Sequence, residues 1–297
     1  MPDGESCLLC GGLTRIFRES TLRPEPLESS EVFSYEGHWF GKQQPMGRIW
    51  QCAECGFVFA ELPDKLSTSD YEDVVDPFYL RTEAGRREIC QQDLNALERW
   101  HVPGSLLDIG CGSGLFIGVA QETGWETQGI EPSRWAGDIG RQSGFSIRTG
   151  EFHAETFPDE QFDAVTMWSV LEHVPDPVAT LKEVWRILKP DGILGIVVPN
   201  LKGLYARLFP DRMFIRMHVS YFTMATLSLA ATQARFQIAE VGIRRKSVSL
   251  RRLTPWFPEG SPLNLLLKPV GCTPLGRLRI PDWISGELRA FVVKRHL

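Results

Sequence analysis

Three groups of residues in this 297-residue chain have the types and spacing that chemistry needs. The first is Asp108-Ile109-Gly110-Cys111-Gly112-Ser113-Gly114, a glycine cluster behind the short apolar run Leu106-Leu107-Asp108-Ile109. Glycines there let the backbone approach a ligand closely and adopt left-handed conformations. The pattern lacks two better-known meanings. A dinucleotide fingerprint needs a glycine where Leu115 stands, and a phosphate-binding P-loop needs Gly-Lys-Ser/Thr, which is missing. The second element is Glu131, at the end of the next apolar run and followed by Pro132. An acid at that place can accept hydrogen bonds from ribose hydroxyls at a topological switch point. The competing reading is a solvated acid opening a helix at Glu131-Pro132-Ser133.

The third group is Cys7-x2-Cys10 and Cys52-x2-Cys55, each followed by glycine, at Gly11 and Gly56. Two such knuckles bring four thiolates to tetrahedral spacing, the ligand set of a structural zinc ribbon. Four unrelated buried cysteines, or an iron–sulfur site, are the alternatives. The 41-residue gap between the pairs adds little closure entropy, which grows only logarithmically. Trp50 and Phe57-Val58-Phe59 supply a small core around the second knuckle. An all-cysteine site leaves no open position, so the metal is expected to be structural. Cys90, Cys111 and Cys272 are isolated.

The elements that must position these groups alternate. A helix over 83–100 is broken by Pro103-Gly104. Strands are predicted over 106–109, 127–130, 145–147, 162–168 and 193–198, with helices over 115–123, 134–141 and 178–188. Lys189-Pro190-Asp191-Gly192 closes the last of these helices. Near-continuous apolar strands alternating with helices imply a doubly wound α/β fold whose parallel sheet is covered on both faces. Beyond Asn200 a helix over 223–234 and strands over 236–243 and 288–293 are predicted, while six prolines between 252 and 282 defeat assignment.

Taken together, Leu107-Asp108-Ile109-Gly110-Cys111-Gly112-Ser113-Gly114, Glu131-Pro132, Phe162-Asp163-Ala164-Val165, Leu171-Glu172-His173-Val174-Pro175-Asp176-Pro177 and Leu188-Lys189-Pro190-Asp191-Gly192 resemble the class I S-adenosylmethionine-dependent methyltransferases. The likeness is to the branch holding ubiquinone-type, sugar and natural-product enzymes, over roughly 83–245 with a closing strand near 288–293. It implies a Rossmann-like, seven-stranded sheet, parallel except for one late strand. It also implies that Asp108 faces the methionine ammonium, and that Gly110, Cys111, Gly112 and Gly114 pass beneath methionine and ribose. Glu131 would grip the ribose hydroxyls beside Pro132, Glu151 and Phe152 would address adenine, and Trp168-Ser169 would meet the methionine. Many relatives carry an acid where this chain has Ser169.

Methyl transfer is an in-line displacement, and an O–H or N–H acceptor needs a base. His218, followed by Tyr221, and His173 are the candidates, with His153 and the pocket residue Tyr205 behind them. Glu172-His173 also reads as a simple helix-capping pair. The expected organisation is a zinc-ribbon module over 1–62, a linker over 63–82 carrying Tyr71 and Tyr79, and a methyltransferase domain over 83–297. That domain has an acceptor-facing insertion around 200–285.

Charge divides at the same place. Residues 1–199 carry 16 Lys/Arg against 32 Asp/Glu, and residues 200–297 carry 16 against 5, giving −16 and +11 within a net −5. Arg244-Arg245-Lys246 and Arg251-Arg252 read as a solvated face, an anionic acceptor site or a membrane-surface contact, with apolar Leu263–Lys268 nearby. The expected acceptor is a small molecule or a saccharide or lipid-linked group. A zinc-containing RNA methyltransferase is the alternative, disfavoured by Glu19, Glu25, Glu28, Glu31 and Glu36. A non-catalytic pseudo-methyltransferase is disfavoured by the intact glycines and Glu131. Met1–Glu5 has no signal-peptide pattern and no window is long and apolar enough to span a bilayer, so a cytoplasmic protein is expected.

Overall fold

The computed structural model describes residues 5–19, 47–61, 71–75, 80, 83–208, 213–214, 217–244, 246–249, 260, 262–271, 273–282 and 286–295. The chain opens with an antiparallel ribbon, β1 (Thr14–Glu19), β2 (Arg48–Cys52) and β3 (Val58–Ala60). Helix α1 (Glu83–Leu97) leads into an alternating series: β4 (Ser105–Ile109), α2 (Leu115–Gln121), β5 (Glu126–Glu131), α3 (Arg134–Gln142), β6 (Ile147–Thr149), β7 (Phe162–Trp168), α4 (Pro177–Ile187) and β8 (Leu188–Val198). Then follow α5 (Leu204–Leu208), the two-residue β9 (Ser220–Tyr221), α6 (Met224–Gln233), β10 (Gln237–Ile243), β11 (Lys246–Ser249), α7 (Pro262–Gly271), β12 (Arg279–Asp282) and β13 (Leu288–Val293).

Seven strands form the central sheet in the order β10-β13-β8-β7-β4-β5-β6. The pairings around β4, β5, β6, β7 and β8 are parallel, and β13 runs antiparallel to both β8 and β10. Strands such as Ala164-Val165-Thr166-Met167 are buried on both faces, which is why their apolar runs are continuous. Strand order reverses at β4, flanked by β5 and β7, and the crevice beyond the carboxyl ends of these strands is where such sheets bind ligands.

Local chemistry sets the helix starts. Ser133 accepts from the Ala136 N–H to cap α3, and Asp176 accepts from Ala179 to cap α4, with Pro177 in its first turn. Thr223 and Thr226 form a reciprocal capping box at α6.

Two boundaries differ from the sequence expectation. β6 begins at Ile147, two residues late, because the Phe145 N–H returns to the Gly140 carbonyl and closes α3 first. β8 begins at Leu188 instead of Ile193. Lys189–Gly192 bulges within the strand, held by Asp191 N–H to the Lys294 carbonyl and Lys294 N–H to the Gly192 carbonyl. The proline-rich region contains a ten-residue helix, α7, with Pro269 inside it, and β12, which pairs antiparallel with β11.

The N-terminal ribbon is stitched to the rest of the chain by β-pairing. β3 pairs with β9, Val58 opposite Tyr221 and Phe59 opposite Ser220, so the order is β1-β2-β3-β9. Phe57 and Phe59 lie in the same buried cluster as Phe222, Leu171 and the core of the large sheet. Among the described residues no helix is long and apolar enough to cross a membrane.

Candidate active site

The glycine turn at the end of β4 is clasped to β5, with the Gly110 and Cys111 N–H groups donating to the Ile130 carbonyl. Gly110 has φ +69°, and a Cβ there would lie 2.5 Å from Val170 Cγ2. Only glycine satisfies both the left-handed backbone and that packing. Gly112 and Gly114 also have positive φ. Cys111 turns its thiol into an apolar cluster with Ile117 and Ile147, so its contribution to the turn is through the backbone.

Glu131 is buried at the end of β5. Its Oε2 accepts the Gly112 N–H at 2.8 Å and its Oε1 accepts the Ser133 N–H at 2.9 Å. Burial pushes its pKa up, and the two backbone donors oppose that shift. A carboxylate has about four acceptor positions, so two remain for donors on a ligand. Pro132 separates Glu131 from the Ser133 cap. The Gly150 N–H bonds the Glu131 carbonyl, which brings the loop bearing Glu151 and Phe152 alongside, with Phe152 packed against Phe157.

Asp108 is also buried, accepting a 2.7 Å hydrogen bond from the Thr166 hydroxyl on the neighbouring β7. Burial pushes its pKa up to about 7 against the Thr166 bond, and Glu131 adds to the rise. Thr166 was not among the sequence candidates; its position level with Asp108 becomes visible only from the strand register. A cationic ammonium next to Asp108 would restore its ionised form.

At the end of β7, Trp168 directs its ring against Phe116, with centroids 5.3 Å apart. Ser169 takes φ +58°, an uncommon conformation for a side-chain-bearing residue. The following loop packs Val170 on Gly110 and carries Glu172 and His173. His218 arrives from the connection before β9, its ring centroid 4.9 Å from that of His173 in an edge-on arrangement. Ligand atoms of Glu172, His173 and His218 all lie within 4.8 Å of one another.

Both imidazoles are oriented. His218 Nδ1 lies 3.2 Å from the Met213 carbonyl, and His173 Nδ1 lies 2.8 Å from the Met217 carbonyl and 3.0 Å from the Tyr71 hydroxyl. A carbonyl only accepts, so in both neutral rings Nδ1 carries the proton and Nε2 is the basic nitrogen. Glu172 is buried and its pKa is pushed up to about 8 by that burial. Its Oε2 has no hydrogen-bond partner among the described residues, and its Oε1 is 3.9 Å from His173 Nε2. The backbone carbonyl of Glu172 accepts from both Val219 and Ser220, tying this loop to β9.

Tyr71 closes the site from the segment ahead of α1. The same segment reaches the other flank: the Ser133 hydroxyl donates to the Val74 carbonyl, and the Arg134 N–H to the Glu72 carbonyl. It therefore bridges from Glu131's neighbourhood to His173. Tyr221 belongs to the apolar cluster of Ile49, Val58, Ala206 and Met213, its ring 4.8 Å from that of Phe214 and 6.5 Å from that of His218, and its phenol is pushed far up by burial. His153 bonds the Ala154 carbonyl within its own loop.

Arg244 corrects the charge reading. It is neither solvated nor open to an anion but buried against Asp93 of α1 and Glu287 before β13, with Arg289 beside them. The sequence signal that grouped it with Arg245 and Lys246 could not show a partner 151 residues away. Arg245, Arg251, Arg252, Cys272, Tyr79 and the side chains of Tyr205 and Lys246 lie outside the described residues.

At the far end of the ribbon, Cys7 Sγ lies 3.5 Å from Cys55 Sγ and Cys10 Sγ 3.4 Å from Cys52 Sγ, and all four sulfurs fall within 4.8 Å of one another. Backbone N–H groups of Leu9, Glu54 and Cys55 point at Cys7 and Cys52 sulfurs. Gly11 and Gly56 take φ +71° and +76° and make the two turns.

A sheet of this order with its one antiparallel strand, a glycine turn after the central strand and an acid after the next define the class I S-adenosylmethionine-dependent methyltransferase fold. The sequence profile of a family described as "Methyltransferase domain" matches residues 82–241, more than half of the chain, and the chain belongs to that family. Relatives include the ubiquinone biosynthesis O-methyltransferases of Actinobacillus pleuropneumoniae, 32% identical over 120 residues (37% of this chain, 50% of the relative), and of Azoarcus sp., 37% identical over 112 residues (35% and 47%). The chain thus spans about half the length of the curated relatives it matches. Among solved structures, a SAM-dependent methyltransferase from Thermotoga maritima superposes with TM-score 0.52 at 20% identity, covering 73% of this chain and 95% of that one. One from Archaeoglobus fulgidus gives 0.52 at 19%, covering 74% and 100%.

Proposed function

We propose that this protein transfers a methyl group from S-adenosylmethionine to a hydroxyl-bearing small molecule, saccharide or lipid-linked acceptor. The observation that carries the reading is the paired imidazoles of His173 and His218 beside buried Glu172, on a loop that packs directly on the glycine turn. When bound, S-adenosylmethionine supplies an electrophilic methyl on a sulfonium whose leaving group is a neutral thioether. Glu131 would accept the ribose hydroxyls, Asp108 would face the ammonium, and the loop at Glu151-Phe152 would border the base. The glycine turn would lie beneath the donor at the strand end, with Trp168-Ser169 beside it.

The base is Nε2 of His218 or His173. It receives the acceptor proton as the oxygen lone pair forms the new bond to carbon and the carbon–sulfur bond breaks. Tyr71 with the Met213 and Met217 carbonyls fixes the rings. Such bases contribute about 10²- to 10⁴-fold. His218→Ala and His173→Ala are therefore expected to lower turnover by about that range while S-adenosylhomocysteine affinity stays unchanged. Full turnover in both variants would dismiss the assignment. The ubiquinone O-methyltransferase relatives support a small-molecule acceptor.

The cysteine cluster is assigned as a structural zinc site. Four thiolates about 2.3 Å from one tetrahedral ion stand about 3.8 Å apart, close to the Cys7–Cys55 and Cys10–Cys52 separations. One zinc per chain by metal analysis is expected; iron, or no metal with four freely reacting thiols, would overturn it.

A further inference from the structure

Glu131 ends β5 and His173 lies in the loop after β7, with β4 between those two strands. The short turn Tyr71–Val74 joins these two places. It is closed by the Val74 N–H on the Tyr71 carbonyl at 3.2 Å. At the start of α3 the Arg134 N–H donates to the Glu72 carbonyl at 3.0 Å, and the Ser133 hydroxyl to the Val74 carbonyl at 2.8 Å. The Arg134 side chain also pairs with the Glu72 carboxylate, but that pair is exposed and adds little. Ser133 in turn donates its N–H to Glu131. From this anchored turn the Tyr71 side chain reaches His173. Its hydroxyl lies 3.0 Å from Nδ1, and its ring meets the imidazole edge-on at 5.9 Å.

The hydrogen bonds at His173 give the phenol a definite part. Nδ1 lies 2.8 Å from the Met217 carbonyl and 3.0 Å from the Tyr71 oxygen. A carbonyl has no proton to give, so Nδ1–H is the donor and the phenol oxygen takes a share of it. Both acceptors hold an imidazolium more strongly than a neutral ring, because charge-assisted hydrogen bonds are the stronger ones. Removing the hydroxyl therefore weakens proton uptake at Nε2. Among the described residues, Glu172 and His218 also face this ring, Glu172 at 3.9 Å from Nε2 and His218 at 4.9 Å between ring centroids. An ionised Glu172 favours the charged ring and a protonated His218 opposes it.

We propose that Tyr71 is a positioning residue for methyl transfer, acting through His173, and that the 71–74 turn ties that imidazole to the end of β5 where Glu131 stands. The inference deepens the methyltransferase reading and rests on it. In this role Tyr71 acts on the ring and not on the methyl group or the acceptor. It sets which nitrogen of His173 is basic and how readily that nitrogen takes a proton. In-line transfer rewards such placement, since a misplacement of about 1 Å costs about 10²-fold in rate.

The test uses the full chain labelled with ¹⁵N-histidine, the His173 signals being identified by their loss in His173→Gln. The imidazole is titrated from about pH 5 to about pH 8.5, with and without saturating S-adenosylhomocysteine. The neutral ring is expected as the Nδ1–H tautomer in the native protein. Tyr71→Phe keeps the ring and removes the hydroxyl alone; it is expected to lower the proton affinity of His173 about two- to tenfold. Melting temperature and S-adenosylhomocysteine affinity should stay close to native in this variant. Saturating S-adenosylhomocysteine is expected to shift the His173 signals in the native protein, and to shift them less in Ser133→Ala, which gives up the Val74 anchor. An Nε2–H tautomer, or a His173 titration that Tyr71→Phe leaves in place, overturns the role of Tyr71. A loss of S-adenosylhomocysteine affinity in Tyr71→Phe larger than its effect on His173 also overturns it, in favour of a direct contact with the donor. Equal ligand-induced shifts in Ser133→Ala and the native protein overturn the tether. Failure of S-adenosylhomocysteine to bind the native chain would instead remove the methyltransferase reading while the tautomer and titration results stand, so the two failures are distinguishable.

Discussion

Glu172 and Asp108 are carboxyls held where their ionised forms are poorly solvated, and this has a consequence for stability. Burial raises Glu172 from an ordinary 4.5 to about 8 and Asp108 from 3.8 to about 7. Below about pH 3 both are protonated in the folded and unfolded chains alike. As pH rises, the unfolded chain loses these protons first, so the folded state loses stability up to about pH 7 to 8. Each group contributes at most about 1.4 kcal/mol per pH unit across its window. Melting temperature is therefore expected to fall between pH 5 and pH 8, and Glu172→Gln to flatten that fall. An unchanged profile in the variant would show that Glu172 is not the group responsible. Tyr221 reads differently on the page of sequence and in the fold. Its motif position suggested chemistry, but the neighbours that bury it, Ile49 and Val58 among them, come from strands more than 160 residues earlier.

The elements legible in the sequence were those whose signal is local. Continuous apolar runs marked the central strands, and the glycine turn and Glu131 were found because their spacing follows from one β-α-β unit. Pairings between distant segments left no such mark. Nothing at Val219-Ser220-Tyr221 announces a strand, since two residues suffice only because β3 and the Glu172 carbonyl take their N–H groups or align beside them. Likewise Arg244 reads as part of a surface run until Asp93 and Glu287 are beside it.

That β3–β9 seam makes a prediction at the same scale. Ala60 N–H bonds the Val219 carbonyl, and the Val219 and Ser220 N–H groups bond Glu172. Damage to the cysteine knuckles should travel along this path to the loop bearing His173. Cys52→Ser is expected to release the metal, lower the melting temperature by several degrees and cut turnover at least about tenfold. S-adenosylhomocysteine affinity should change much less, because Glu131 ends β5, across β4 from that loop. Equal losses in turnover and cofactor affinity would argue against this route.

At the scale of the molecule, the division of charge acquires a different meaning from the one the sequence suggested. Among the described residues, part of the basic last third is spent internally: Arg244 and Arg289 serve a network with Asp93 and Glu287, and Lys294 is buried against Trp185 and the Leu188 carbonyl. On the proposed reading, β4 and β5 would carry the methyl donor, and the loop after β7 with the segment before β9 would face the acceptor.

The central claim, that the crevice at β4 and β5 holds S-adenosylmethionine with Glu131 on its ribose, is tested most directly by titrating S-adenosylhomocysteine into the full chain and into Glu131→Gln. Saturable one-to-one binding is predicted for the native protein, weaker by about 10- to 100-fold in the variant at matched melting temperature, as loss of hydrogen bonds to a charged acceptor implies. No binding to the native protein, or equal affinity in the two, would contradict it.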